Sequence, residues 1–209
     1  MFLVYSYTHK CNDSLFLATR VMSELTDQQL VFRISVFHDQ DAFAQLHSRY
    51  YPKIYKFIAY KIARSEDAED ISSQIFLKTW EYLTSSRENK IRNFRAFIYK
   101  AARNNVAGFY RMQGNTPKIL DIDDTEYEID LPDVREDIFK KQLTIQDTEQ
   151  LIECTQKLHD SYREIIALRF FEELTIEEIA EVIGKKPGNV RVLIHRGLQA
   201  LRNLMNTTI

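Results

Sequence analysis

Asp67, Glu69 and Asp70 put three carboxylates within four residues, the kind of cluster that could hold a divalent cation in a nuclease or phosphotransferase. The companions of such chemistry are missing. The five histidines (His9, His38, His47, His159, His195) are scattered without ligand spacing, and no glycine-rich loop could cradle a phosphate. Cys11 and Cys154 belong to no CxxC pattern, so the expectation is reduced thiols rather than a disulfide or a zinc knuckle. Carboxylates along one helix, with no second ligand helix, rarely close a coordination sphere. The sequence therefore predicts no catalytic residue, no metal and no cofactor, and a protein that is not an enzyme.

Two other groups of residues have the chemistry of nucleic-acid binding. From Arg87 to Asn115 there are seven basic residues and one acidic one, Glu88, with Arg95, Tyr99, Lys100, Arg103, Asn104, Tyr110 and Arg111 interleaving cations with aromatic rings and an amide. Cations pair phosphates, and exposed rings and amides can stack on and hydrogen-bond bases taken out of the duplex. From Val182 onward five basic residues stand with no acidic one, among them Arg191 and Arg196, near Asn189 and His195. Guanidinium, amide and imidazole groups on an exposed helix can read donors and acceptors in a major groove.

Helices must position these residues. Five glycines and four prolines in 209 residues, with 44% hydrophobic and 28% charged residues, predict a soluble all-α protein. Apolar residues recur at helical spacing from Leu25 to about Gln113, with breaks near Ser65 and from about Thr84 to Asn93. In the helix Asp67 to Leu83, Ile71, Ile75, Phe76, Trp80 and Leu83 form one arc, opposite Asp67, Asp70 and Gln74. In the next helix Phe94, Phe97, Ile98, Ala101, Ala102, Val106 and Phe109 form the core stripe, which leaves the basic and aromatic residues outside.

Near the C-terminus, Thr175 and Glu178 form a capping box. Gly184 suits a left-handed helix end and Pro187 the first turn of the next helix. That helix should bury Val190, Ile194, Gly197, Leu198 and Leu201 and expose Asn189, Arg191, Val192, His195, Arg196 and Gln199. Such a helix-turn-helix is a DNA-binding pattern, although a helix pair in a protein–protein bundle has the same periodicity.

The net charge of −2 conceals an uneven distribution: Ile119 to Asp137 holds nine acidic residues and one basic, leaving 27 basic against 21 acidic residues elsewhere. The expected organisation is an N-terminal extension (1–23), a helical domain (24–113), an acidic linker (114–144) and a helix-turn-helix domain (145–209). No apolar stretch is long enough to span a bilayer and no targeting signal opens the chain, so a cytoplasmic protein is expected. Met22 precedes SELTDQQLV, which suggests that residues 1–21 are dispensable.

In this order, LTDQQLVFRI, DAFAQLHSRYYPKIY, DAEDISSQIFLKTWEYL and NFRAFIYKAARNNVAGFYR resemble region two of the extracytoplasmic-function (ECF) type RNA polymerase sigma factors, of the sigma-70 family. LHDSYREIIALRFFEELTIEEIAEVIGKKPGNVRVLIHRGLQAL resembles their region four. The resemblance implies a factor that binds core RNA polymerase and directs promoter-specific initiation, melting the −10 element with region two and binding the −35 element with region four.

It implies further that Asp67, Glu69, Asp70 and Gln74 dock on the β′ clamp helices. Arg95, Tyr99, Lys100, Arg103, Asn104 and Arg111, with the Ser85 to Asn93 loop, would hold the −10 element, and Asn189, Arg191, His195 and Arg196 would read the −35 element. Leu168, Phe170 and Phe171 would fall near the β flap, the acidic linker would thread toward the RNA exit path, and an anti-sigma factor is a further partner to expect. Some residues depart from the family pattern: Ser73 and Gln74 make the docking face less acidic, Lys186 replaces a Ser or Thr cap, Leu193 stands where many members carry Arg, and Gly108 where Asn or Asp is common. The competing reading is an autonomous helix-turn-helix regulator of duplex DNA that uses its N-terminal domain for dimerisation or sensing.

Overall fold

The computed structural model describes residues 25–85, 91–114 and 153–207, and every regular element among them is helical. The N-terminal extension, nearly all of the acidic linker and the tip of the Ser85 to Asn93 loop lie outside the described residues. The structure divides into two compact units between Phe94 and Arg95.

In the first unit α1 (Asp27–Phe37), α2 (Gln40–Ala59) and α3 (Ser65–Ser85) pack on one another in all three pairs. Thr26 and Gln29 form a capping box that starts α1. The long helical stretch read from the sequence has a break that the pattern did not show, at His38, which takes a left-handed conformation (φ 53°) and ends α1. Asp39 then caps α2 by accepting the Ala42 N–H at 3.0 Å. Neither glycine nor proline marks this corner, so the usual sequence punctuation is absent. Leu30, Ile34, Leu46, Ile54, Ile58 and Ile75 are essentially inaccessible at the centre. Asp27 accepts bonds from Arg49 and the Tyr50 hydroxyl, joining the start of α1 to the middle of α2.

The second unit contains α4 (Phe94–Met112, from Arg95 onward), α5 (Asp160–Ile166), a π-helical turn (Ala167–Phe171), α6 (Ile176–Ile183) and α7 (Pro187–Thr207). The capping box Thr175–Glu178 starts α6, and Gly184 ends it with φ 71° while the Lys185 N–H bonds the Ala180 carbonyl. Pro187 opens α7. The core joins Ile165, Ile166 and Leu168 to Leu174, Ile179, Val182, Val190 and Leu201, and Cys154 is a buried free thiol. No described helix is long and apolar enough to cross a membrane.

Candidate nucleic-acid interface

On α3, Glu69, Asp70 and Gln74 are exposed, as the sequence predicted, whereas Asp67 is half-buried with Arg64 at 3.7 Å. Leu77 is 59% exposed. At roughly 100° per residue, Asp70, Gln74, Leu77 and Glu81 share one narrow strip, so the surface is an acidic and amide stripe around an open leucine. The sequence reading missed Leu77; the signal available was its place on the polar side of the helix.

On α4 the six expected residues divide into two groups. Lys100, Asn104 and Arg111 are exposed. Asn104 stands clear, while its neighbour Asn105 turns back to donate to the Ala101 carbonyl at 2.8 Å. Arg95, Tyr99 and Arg103 are engaged by residues of the C-terminal helices. Arg103 Nε donates to Glu164 Oε2 at 3.1 Å, and the Tyr99 hydroxyl donates to Glu172 Oε2. Arg95 donates to the Glu172 carbonyl and stands 3.8 Å from a carboxylate oxygen of Glu178.

Tyr99, expected on the open face, is fully buried, and Ala96 and Ala107 are buried with it. A single apolar stripe does not describe a helix covered on more than one side, which is why the sequence pattern misplaced Tyr99. Glu164 and Glu172 are nine-tenths buried, and nothing in the sequence singled them out.

On α7, His195 is exposed and Asn189, Arg191 and Arg196 are half-buried, all on the flank away from Val190, Ile194 and Leu201. Val192, expected outside, is only 6% exposed. Helix α7 packs against both α5 and α6, so its burial exceeds one stripe. Leu193, at the position where an Arg was noted as common, is a core residue, and a side chain on Gly108 would meet no atom within 4 Å. Leu168 is fully buried within the π turn, leaving Phe171 as its exposed aromatic.

The arrangement so far is a helix-turn-helix with a basic flank, a second basic helix and an acidic stripe. Residues 46–116 match the family described as Sigma-70 region 2, and residues 148–201 match Sigma-70, region 4. The ECF RNA polymerase sigma-E factor of Escherichia coli strain K12 is 30% identical over 90% of this chain and 99% of its own length. The chain belongs to the ECF sigma factors of RNA polymerase. Sigma factors of this family bind core polymerase and promoter DNA and act as transcription initiation factors, so the autonomous-regulator reading is not favoured.

The ECF sigma factor SigW of Bacillus subtilis is 30% identical over 78% of this sigma factor and 89% of its own length. BldN of Streptomyces coelicolor is 27% identical, and the match covers 80% of this chain but only 61% of BldN. In fold, the sigma factor is similar to CnrH, solved in complex with the cytosolic domain of CnrY (TM-score 0.61, 20% identity, 87% of this chain and 97% of that one). It is also similar to the sigma factor RpoE of Bartonella quintana, solved with the anti-sigma factor NepR (TM-score 0.54, 20% identity, 78% and 96%).

Proposed function

We propose that this sigma factor divides initiation among three helical faces. The polar side of α3 (Asp67, Glu69, Asp70 and Gln74, with Leu77 added) docks on the β′ clamp helices. Helix α4 holds the unstacked strand of the −10 element, with Lys100, Asn104 and Arg111 open and Arg95, Tyr99 and Arg103 joining them when released from their carboxylate partners. Helix α7 reads the −35 element through Asn189, Arg191, His195 and Arg196. The functional domains are those drawn at 24–113 and 145–209, acting in the cytoplasm, with the β flap and an anti-sigma factor as further partners.

The observation that carries this reading is the helix-turn-helix itself: α6 is capped by Thr175, the turn is set by the left-handed Gly184, and α7 presents its basic flank away from the core. Run-off transcription with core polymerase tests it. The expected result is a promoter-dependent transcript only when the protein is added, reduced in Arg191→Ala and Arg196→Ala. A protein that blocked transcription by saturated holoenzyme, and never supported it with core enzyme, would refute the reading.

A further inference from the structure

Helix α1 is apolar on two sides. Leu30, Val31 and Ile34 are buried in the core of the first unit, where α1 packs on α2 and α3. Phe32 and Val36, each two residues further on than Leu30 and Ile34, stand roughly 200° round the helix from them. They are 59% and 53% exposed, and Phe37, 68% exposed, sets its ring edge-on to Phe32 at 6.3 Å between centroids. Residues four apart on a helix are neighbours, so the three side chains form one patch. A helix that is apolar on both sides belongs between two layers, yet among the described residues only the inner layer is present.

The 24 residues ahead of Leu25 carry 13 hydrophobic ones, including the run Leu15–Phe16–Leu17, and only four that are charged. We propose that this N-terminal segment folds back along the outer side of α1, the Leu15–Phe16–Leu17 run covering Phe32, Val36 and Phe37. The reach matches. Ten positions separate Phe16 from Thr26, the cap of α1, and ten separate Thr26 from Val36. At helical rise ten residues span roughly 15 Å, and an extended chain spans more, so the run comes level with the patch in either conformation.

The size of the patch favours a tethered occupant. A stable interface with a separate molecule buries about 800 Å² on each partner, and three partly exposed side chains fall well short of it. A segment joined to α1 by a few residues is held at high effective concentration and needs far less area. The proposal gives a task to residues whose place ahead of Met22 suggests that they are dispensable.

The test compares hydrogen exchange in peptides from α1, α2 and α3 between the full-length protein and a chain beginning at Met22, with light scattering for mass and circular dichroism for helicity. The shorter chain keeps Thr26 and Gln29, so the cap of α1 is intact. The expected result is a full-length monomer in which the amides of residues 32–37 exchange at least fivefold more slowly than in the shorter chain, with α2 and α3 changed less than twofold. Full-length Leu15→Asp/Phe16→Asp/Leu17→Asp should exchange like the shorter chain, and Phe32→Asp/Val36→Asp should speed exchange within residues 1–21. Equal exchange of α1 in the two chains would overturn the proposal, as would a change spread evenly over all three helices, which reports general loosening. A full-length dimer that Phe32→Asp/Val36→Asp separates would assign the patch to a second copy. Slowing of α1 only on adding core polymerase would assign it to the polymerase, and either result overturns the proposal.

Discussion

A side-chain amide offers a donor and an acceptor to a base edge, and an extruded base gives up a few kcal/mol of stacking that its receiving site must replace. Asn104 has the amide and the exposure. Replacing an exposed helical residue with no structural task changes stability by no more than about 0.5 kcal/mol, so Asn104→Ala should stay folded and bind core normally. Loss of one base-edge contact costs about 1–3 kcal/mol, and transcription should fall accordingly, with altered base preference at one −10 position. A 2-aminopurine probe there checks it: an undiminished fluorescence rise with the variant holoenzyme would remove Asn104 from the pocket. His47 makes a different residue-level case. It lies 4.8 Å from the Tyr51 ring and 4.7 Å from Phe76, and burial pushes its pKa below the ordinary 6.5. The unfolded chain then takes up a proton that the folded one resists, so stability is full above about pH 6.5 and declines as pH falls toward the depressed folded value. Thermal melts between pH 7.5 and 5 should show the decline, and His47→Leu should flatten it. The Asp39 carboxyl, lowered mainly by the Ala42 N–H and then by Arg33, contributes its own loss only below about pH 4, near its ordinary 3.8.

Among the elements, α7 crosses α5 where Gly197 lies: a Cβ there would stand 3.3 Å from Ile166 Cγ1 and 3.5 Å from Tyr162 Cβ. An alanine would require a shift of only a few tenths of an ångström, but Gly197→Leu should cost about 1–3 kcal/mol through overpacking. Thermal unfolding measures this, and an unchanged melting temperature would contradict so close a crossing. Gly197 was legible in the sequence as part of the α7 core face, as were the Thr175–Glu178 cap, the left-handed Gly184 and Pro187 at the start of α7. These features are local, fixed by the preferences of single residues. The corner at His38 was not legible, because an ordinary, exposed residue adopts the left-handed conformation there, with no glycine or proline to mark it. Val192 and Tyr99 were misplaced for a different reason: hydrophobic periodicity reports one buried stripe, and a helix flanked by two neighbours has more than one.

For the molecule as a whole, the docking role proposed for the stripe on α3 makes a prediction about assembly. Asp70→Lys should weaken core polymerase binding several-fold without loss of helicity, and Leu77→Ala should do the same by removing the exposed apolar centre of the strip. Calorimetric titration with core enzyme, beside circular dichroism, distinguishes this from unfolding, and unaltered affinity in both variants would move the docking face elsewhere. The stripe's polar half was visible in the sequence as an arc opposite the core. Its leucine was not, because an isolated apolar residue on a polar face carries no periodic signal. The carboxylates that engage α4 were equally invisible, since their partners lie 61 and 73 residues away in the chain. What brings Glu164 and Glu172 to the same helix is a matter of angular phase. Eight residues along an uninterrupted α-helix would turn the second carboxylate roughly 80° away from the first. The π turn between them, where the Glu172 N–H reaches back five residues to the Ala167 carbonyl, absorbs one residue, which subtracts about 100° and leaves the two within roughly 20° of one another. The π turn is thus a phase corrector, and the length of Ala167–Phe171, rather than its composition, aims both acids at one target.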